Sequence, residues 1–252
     1  CAASISGIKV AWLCDAFTEP SWFRPIVVVG ASAAALAGIF FGVSWLVNVQ
    51  VSAPPEEVGA GHTAAPTTHE STSGTDALIF VCSPAGRHSL PAAASEAEQV
   101  CECFASAGKV AVVQYGGDGV LLGELLEQHR PRMLLFVGHA NARHPFTRAL
   151  TLGLTDAAGN LVRLQPETLA DVLASAGAVG LELVVLNGCE SLALAEKVAA
   201  SGVCAVCWST LLLDEAGAIF SPALFAHLGH PENATLPMRK LVGQAFERGK
   251  QA

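Results

Sequence analysis

LLFVGHA (134–140) and, about fifty residues later, LELVVLNGCES (181–191) decide how this chain folds. Each is an unbroken apolar run, the mark of a strand buried on both faces of a parallel sheet. One ends in Gly-His and the other in Asn-Gly-Cys, so His139 and Cys189 are expected at the carboxyl ends of two strands. In open α/β sheets that edge is where ligands bind. A thiol and an imidazole are the two parts a cysteine nucleophile requires, one to attack and one to move protons. Cys189 is expected where its strand turns into a helix beginning near Glu190. The positive end of a helix stabilises a thiolate, and its open N–H groups stabilise an oxyanion.

Working outward, LIFVC (78–82), VAVVQY (110–115) and VCAVCW (203–208) supply three more strands. Between them, residues 92–107 gather Ala97, Val100, Cys101 and Phe104 on one helical face. Residues 166–176 open on Pro166, group Leu169, Val172 and Leu173, and stop at Gly177. Strand and helix alternating in this way predict an α/β domain over 76–252, a three-layer αβα sandwich with a mainly parallel sheet. LTLGL, a turn at 156–160 and LVRL predict a hairpin inserted between the third and fourth strands. Two more helices, about 215–229 and 236–248, close the chain.

The N-terminal part differs in kind. Residues 26–47 run 22 positions without a charge, enough to cross a roughly 30 Å hydrocarbon layer as a helix. Trp22, Phe23 and Trp45 suit the aromatic belts at its ends. Gly30, Ala34, Gly38 and Gly42 form a stripe of small residues along which two such helices can pack into a homodimer. Residues 1–25 then form a juxtamembrane segment. Residues 48–75, rich in Pro, Gly, Ser and Thr, form a flexible tether in which His62 and His69 are solvated. Lys9 and Arg24 favour a cytosolic N-terminus with the domain on the opposite side, although two charges leave the side open. Only in that orientation does the glycosylation sequon Asn233-Ala234-Thr235 matter. Opening on Cys1 rather than Met is expected of a fragment or a processed product.

A mean hydropathy of +0.46 with only 14% charged residues fits a membrane-anchored chain better than a soluble one. The formal charge of −8 disfavours nucleic acid as a partner. Eight cysteines make no close-spaced disulfide framework, and Cys82, Cys101, Cys204 and Cys207 fall on predicted apolar positions. Cys204 and Cys207, three apart on a strand, point to opposite faces and make no metal site. YGGDGVLLG (115–123) lacks the phosphate-loop spacing and reads as a turn. His88, His129, His144, His227 and His230 are expected on the surface.

Together, LPAAASEAEQV (90–100), LLFVGHA, VVLNGCES and GVCAVCWSTLLLDEAGAIFSPALFAHL (202–228) resemble the CHAT domain family of caspase-like cysteine peptidases. The likeness spans about 78–248 and rests on the order and spacing of loose motifs. It implies a caspase-like fold and peptide-bond hydrolysis without metal or other cofactor. His139 would be the general base and Cys189 the nucleophile, with the N–H groups of Ala140 and Cys189 as oxyanion donors. The family usually has Gly where this chain has Ala140, which would be penalised if the loop needs φ > 0. Relatives that cut after Arg or Lys carry Asp where this chain has Asn187; Asp214 and Glu215 could supply acidity instead, and Arg87 could favour an acidic substrate residue. The implied function is a membrane-tethered, single-pass cysteine endopeptidase acting on a polypeptide. The alternative is a catalytically inactive CHAT-like module, anchored by 26–47, that serves interaction or scaffolding.

Overall fold

The computed structural model describes residues 74–252 except 141, 144–149, 157 and 210–213. Upstream it describes only the short extended segments Ala11–Leu13, Val29–Ala31, Val43–Trp45 and Val47–Gln50. The expectation of a membrane-crossing helix at 26–47 thus falls largely outside the described residues, as do the tether and most of the juxtamembrane segment. Among the described residues no helix is long and apolar enough to cross a membrane.

Five mutually parallel strands form the body of the sheet: β1 (Ala77–Cys82), β2 (Ala111–Tyr115), β3 (Met133–Gly138), β4 (Leu183–Asn187) and β5 (Cys204–Trp208), with the segment Val47–Gln50 antiparallel beside β5 and Ala11–Leu13 beyond it. Their order is β2-β1-β3-β4-β5. Strict alternation divides the strand side chains between two cores. Ile79, Val81, Leu135, Val137, Leu183, Val185 and Val206 face one side; Leu78, Phe80, Leu134, Phe136, Val184, Leu186 and Cys207 face the other. Both sides are buried, which is why the strands read as continuous apolar runs rather than alternating ones.

Helices α1 (Ala93–Ser106), α5 (Asp214–Gly229) and α6 (Met238–Gly249) cover the first face. Helices α2 (Gly119–His129), α3 (Pro166–Gly177) and α4 (Leu192–Ala200) cover the second. The expected three-layer α/β arrangement is therefore present in this domain. α1 buries Ala93, Ala97, Val100 and Phe104, and Phe104 meets Phe225 of α5 at 5.8 Å between ring centroids. Burying a Phe or Leu of this kind contributes about 1.5–3 kcal/mol.

The stretch YGGDG does more than turn. Gly116 and Gly117 have φ of +70° and +145°, and the Asp118 carboxylate accepts hydrogen bonds from the N–H groups of Val120 and Leu121, each at 3.0 Å. Asp118 is thus the N-cap of α2, satisfying donors that the first helical turn leaves open. The predicted hairpin is also present, as Gly153–Thr155 antiparallel to Leu161–Arg163. Asp156 closes its turn by accepting from the N–H groups of Ala158 and Asn160.

Candidate active site

The β3–β4 ladder starts at Met133 beside Leu183 and ends at Val137 beside Asn187, an offset of fifty positions throughout. His139 and Cys189 each lie two residues past that last pair, on neighbouring strands, and keep the same offset. Between them and the ladder stand Gly138 and Gly188. A Cβ on Gly188 would collide with the Gly138 carbonyl oxygen and lie 2.8 Å from Ala140 Cβ. Glycine at 188 is what lets the strand ends approach this closely.

His139 is half-buried and fixed from two sides. Its Nε2 lies 2.8 Å from the carbonyl oxygen of His88. A carbonyl only accepts, so Nε2 carries the hydrogen, and the lone pair of the neutral ring sits on Nδ1. His88 belongs to the turn Gly86–His88 between β1 and α1, and its ring meets that of His139 edge-on, with centroids 6.3 Å apart. On the backbone side, the His139 carbonyl accepts from the Gly153 N–H at 2.6 Å. A Cβ on Gly153 would lie 2.6 Å from Leu161 Cδ1 and 3.2 Å from His139 Cβ, so the hairpin can back the histidine only through glycine. His88, read from the sequence as a surface residue, is exposed by its side chain and consequential by its carbonyl.

Cys189 is half-buried on a turn and in no disulfide. Helix α4 starts at Leu192 after the N-cap Ser191, two residues past Glu190. Glu190 has φ of +52°, outside helical space, and this delays the helix. Cys189 therefore precedes the N-cap by two residues, and the helix dipole acts on it from farther away than the sequence suggested. The N–H of Ser191 donates to the Trp208 carbonyl at 2.8 Å, and its buried hydroxyl accepts from the Trp208 N–H at 3.2 Å. Among described non-glycine residues, positive φ occurs only at Arg130 and Glu190. Ala140 thus carries no left-handed strain, and its methyl packs into the core beneath α2, α3 and α4.

Of the residues considered for specificity, Asn187 is 4% exposed, with both ends of its amide engaged inside the protein. Glu215 is exposed on the first turn of α5, and the side chains of Arg87 and Asp214 lie outside the described part. Burial disfavours the thiolate form at four of the other described cysteines. Burial pushes Cys82 and Cys204 up to about 11 and raises Cys101 and Cys103 as well. Cys204 and Cys207 belong to opposite cores, as their spacing implied. The Asn233 amide of the sequon donates to the His227 carbonyl at 2.8 Å, at the junction of α5 and α6. Two surface grooves, one along α6 and one between α1 and α5, touch neither His139 nor Cys189.

Sequence reasoning quoted the stretches that hold Glu96, Ser191 and Trp208 and gave none of the three a role. Glu96 was open to detection, because it stands three positions after Ala93 and four before Val100, inside the apolar stripe of α1. A carboxylate in such a stripe is rarely buried without a specific partner. No protein-family model matches the chain, and no curated protein matches it.

Proposed function

We propose that residues 76–252 form a cysteine endopeptidase domain of the CHAT type, with His139 as general base and Cys189 as nucleophile. The observation that carries this is the ring of His139. Its Nε2–H is committed to the His88 carbonyl, at the end of the strand beside the one that leads to Cys189. Nδ1 is left to take a proton, and a backbone carbonyl orients the base as a third triad member would.

In the reaction the thiol proton passes to Nδ1 and the sulfur attacks the scissile carbonyl carbon. The N–H groups of Ala140 and Cys189 stabilise the resulting oxyanion, an effect of about 10²–10³-fold per donor. The imidazolium returns its proton to the departing amine, leaving a thioester. Water, deprotonated by the same imidazole, then attacks the thioester, and the carboxylic product leaves with the thiol restored. The strand order and the position of both groups on one sheet edge fit the caspase-like architecture that the sequence resemblance implies. On the same reading, 26–47 anchors the domain in a bilayer, and the stripe Gly30, Ala34, Gly38, Gly42 pairs two copies.

Labelling the full chain with iodoacetamide or a peptidyl electrophile, with the modified thiol mapped by mass spectrometry, tests the proposal. Cys189 should label well before every other cysteine, and His139→Ala should remove that advantage. A Cys189 no faster than Cys101 or Cys103, in a chain inert toward peptide panels, would make the domain a membrane-anchored interaction module instead.

A further inference from the structure

We infer that Glu96, Asn187 and Trp208 form a positioning network that holds the Cys189 turn and the loop behind His139 in one fixed relation. This rests on the proposed dyad and concerns how its two halves are kept together.

The turn Asn187-Gly-Cys-Glu-Ser191 is fastened at both ends to a single residue of the next strand. At one end, the Trp208 indole Nε1–H donates to Asn187 Oδ1 at 2.7 Å. At the other, Ser191 exchanges hydrogen bonds with the Trp208 backbone N–H and carbonyl. Cys189 sits midway, two residues from each fastening. The other end of the Asn187 amide reaches the opposite way, its Nδ2–H donating to Glu96 Oε1 at 2.6 Å. Glu96 stands in the first turn of α1, and the loop entering α1 carries the His88 carbonyl that holds His139. The base and the nucleophile are thereby both referenced to the amino end of one helix.

Glu96 and Asn187 are buried, and Trp208 is half-buried. Glu96 is 1% exposed, and a Cβ on Gly217 of α5 would lie 2.5 Å from Asn187 Nδ2, so α5 closes directly over the amide. Phe220 meets the Trp208 ring edge-on, with centroids 5.3 Å apart. Apolar residues in these places would pack at lower desolvation cost. Buried hydrogen bonds add direction, because amide, carboxyl and indole must meet in one geometry. A buried carboxyl group joined to the residue two before the thiol is therefore suited to fix where that thiol points.

The experiment follows iodoacetamide alkylation of Cys189 in the full chain across pH. Trp208→Phe keeps a ring against Phe220 and removes only the indole donor; Glu96→Leu removes the carboxyl acceptor and Glu96→Gln retains one. Trp208→Phe and Glu96→Leu should each slow Cys189 alkylation about ten- to hundredfold, the scale on which misplaced reacting groups lose rate. Both should also displace the midpoint of its pH profile, while Glu96→Gln recovers most of the wild-type rate. A role confined to core packing would lower the melting temperature and leave that profile in place. Folded variants with a wild-type rate and midpoint would overturn the network while the dyad stood. If His139→Ala leaves wild-type alkylation unchanged, the dyad itself fails and the network falls with it. Should Trp208→Phe not melt cooperatively, the Glu96 pair decides between the same two outcomes.

Discussion

The two ends of the β3–β4 strand pair share one register and have opposite characters. At the amino end Arg132 and Glu182 stand one residue before the ladder, fifty apart. The guanidinium donates to both carboxylate oxygens, at 3.1 and 2.9 Å, and the Glu182 N–H donates to the Arg132 carbonyl at 2.8 Å. Each charge has its complement and the end is closed. At the carboxyl end Gly188 stands against Gly138, and His139 and Cys189 each follow one residue farther along the chain. Here side chains are removed for one row, and the residue after each glycine is protonatable, with His139 tied to the loop before α1 through the His88 carbonyl. The fifty-residue spacing is therefore the offset of the ladder and marks no chemistry by itself. What distinguishes the carboxyl end is the glycine row and the polar groups backing it. Depth matters as well. Cys82 pairs with Gly138, one row inward, and burial there pushes its thiol up to about 11.

Breaking the carboxyl end should affect rate, and breaking the amino end should affect only stability. Cys189→Ala should reduce peptide cleavage to background, and His139→Ala should cost about 10²–10⁴-fold. The double variant should be little worse than either, and thermal melts should move by only about 1–2 kcal/mol. An active His139→Ala would remove the contrast between the ends.

Gly188→Ala forces a methyl onto the Gly138 carbonyl and should cost about 1–3 kcal/mol by urea titration while also lowering activity. A fully active Gly188→Ala would show that the close glycine row is dispensable.

Alkaline pH probes the inner thiols. Cys82 and Cys204 hold their protons up to about 11, above the ordinary value of 9.0, so the folded chain binds more protons between those limits than the unfolded one. Their contribution to stability is complete below about pH 9 and is lost as pH rises toward about 11, on the order of 2 kcal/mol per thiol. Urea midpoints measured between about pH 8 and 10.5 should fall, and less so in Cys204→Ala. An equal fall in that variant would place the alkaline sensitivity elsewhere.

The amino-end pair is about 40% exposed on both sides, so solvent screens it. Arg132→Ala should cost only about 0.5–1 kcal/mol and leave Cys189 alkylation untouched. Smallest of all, Ala140→Gly should leave cleavage unchanged, because φ there is not positive, and cost about 0.5–1 kcal/mol in backbone entropy. A gain in activity would mean that Ala140 hinders the oxyanion loop after all.

Much of this was legible in one dimension. Strands buried on both faces announce themselves as runs such as LLFV and LVVL, and the helix at 166–177 carries its own start and stop signals. The position of His139 and Cys189 just past two such runs followed directly. Sequence reading failed where a backbone turn or a main-chain group controls the outcome. The start of α4 depends on the left-handed turn at Glu190, and Asp118 became a cap only because two glycines turn the chain before it. His88 acts through a carbonyl, a group every residue possesses and no sequence distinguishes.

Residue order alone was enough to say which segments are strands, which side chains alternate into which core, and that a thiol and an imidazole leave two sheet strands at one edge. Burial is written in periodicity, and offset is conserved along a ladder. Two further facts required the packed chain: His139 turns its Nε2–H toward the loop after β1, and Asn187 lies locked between Glu96 and Trp208. Those pairings join residues 51, 91 and 21 positions apart. Directional hydrogen bonds across such distances exist only after the apolar runs have packed and brought the partners within reach.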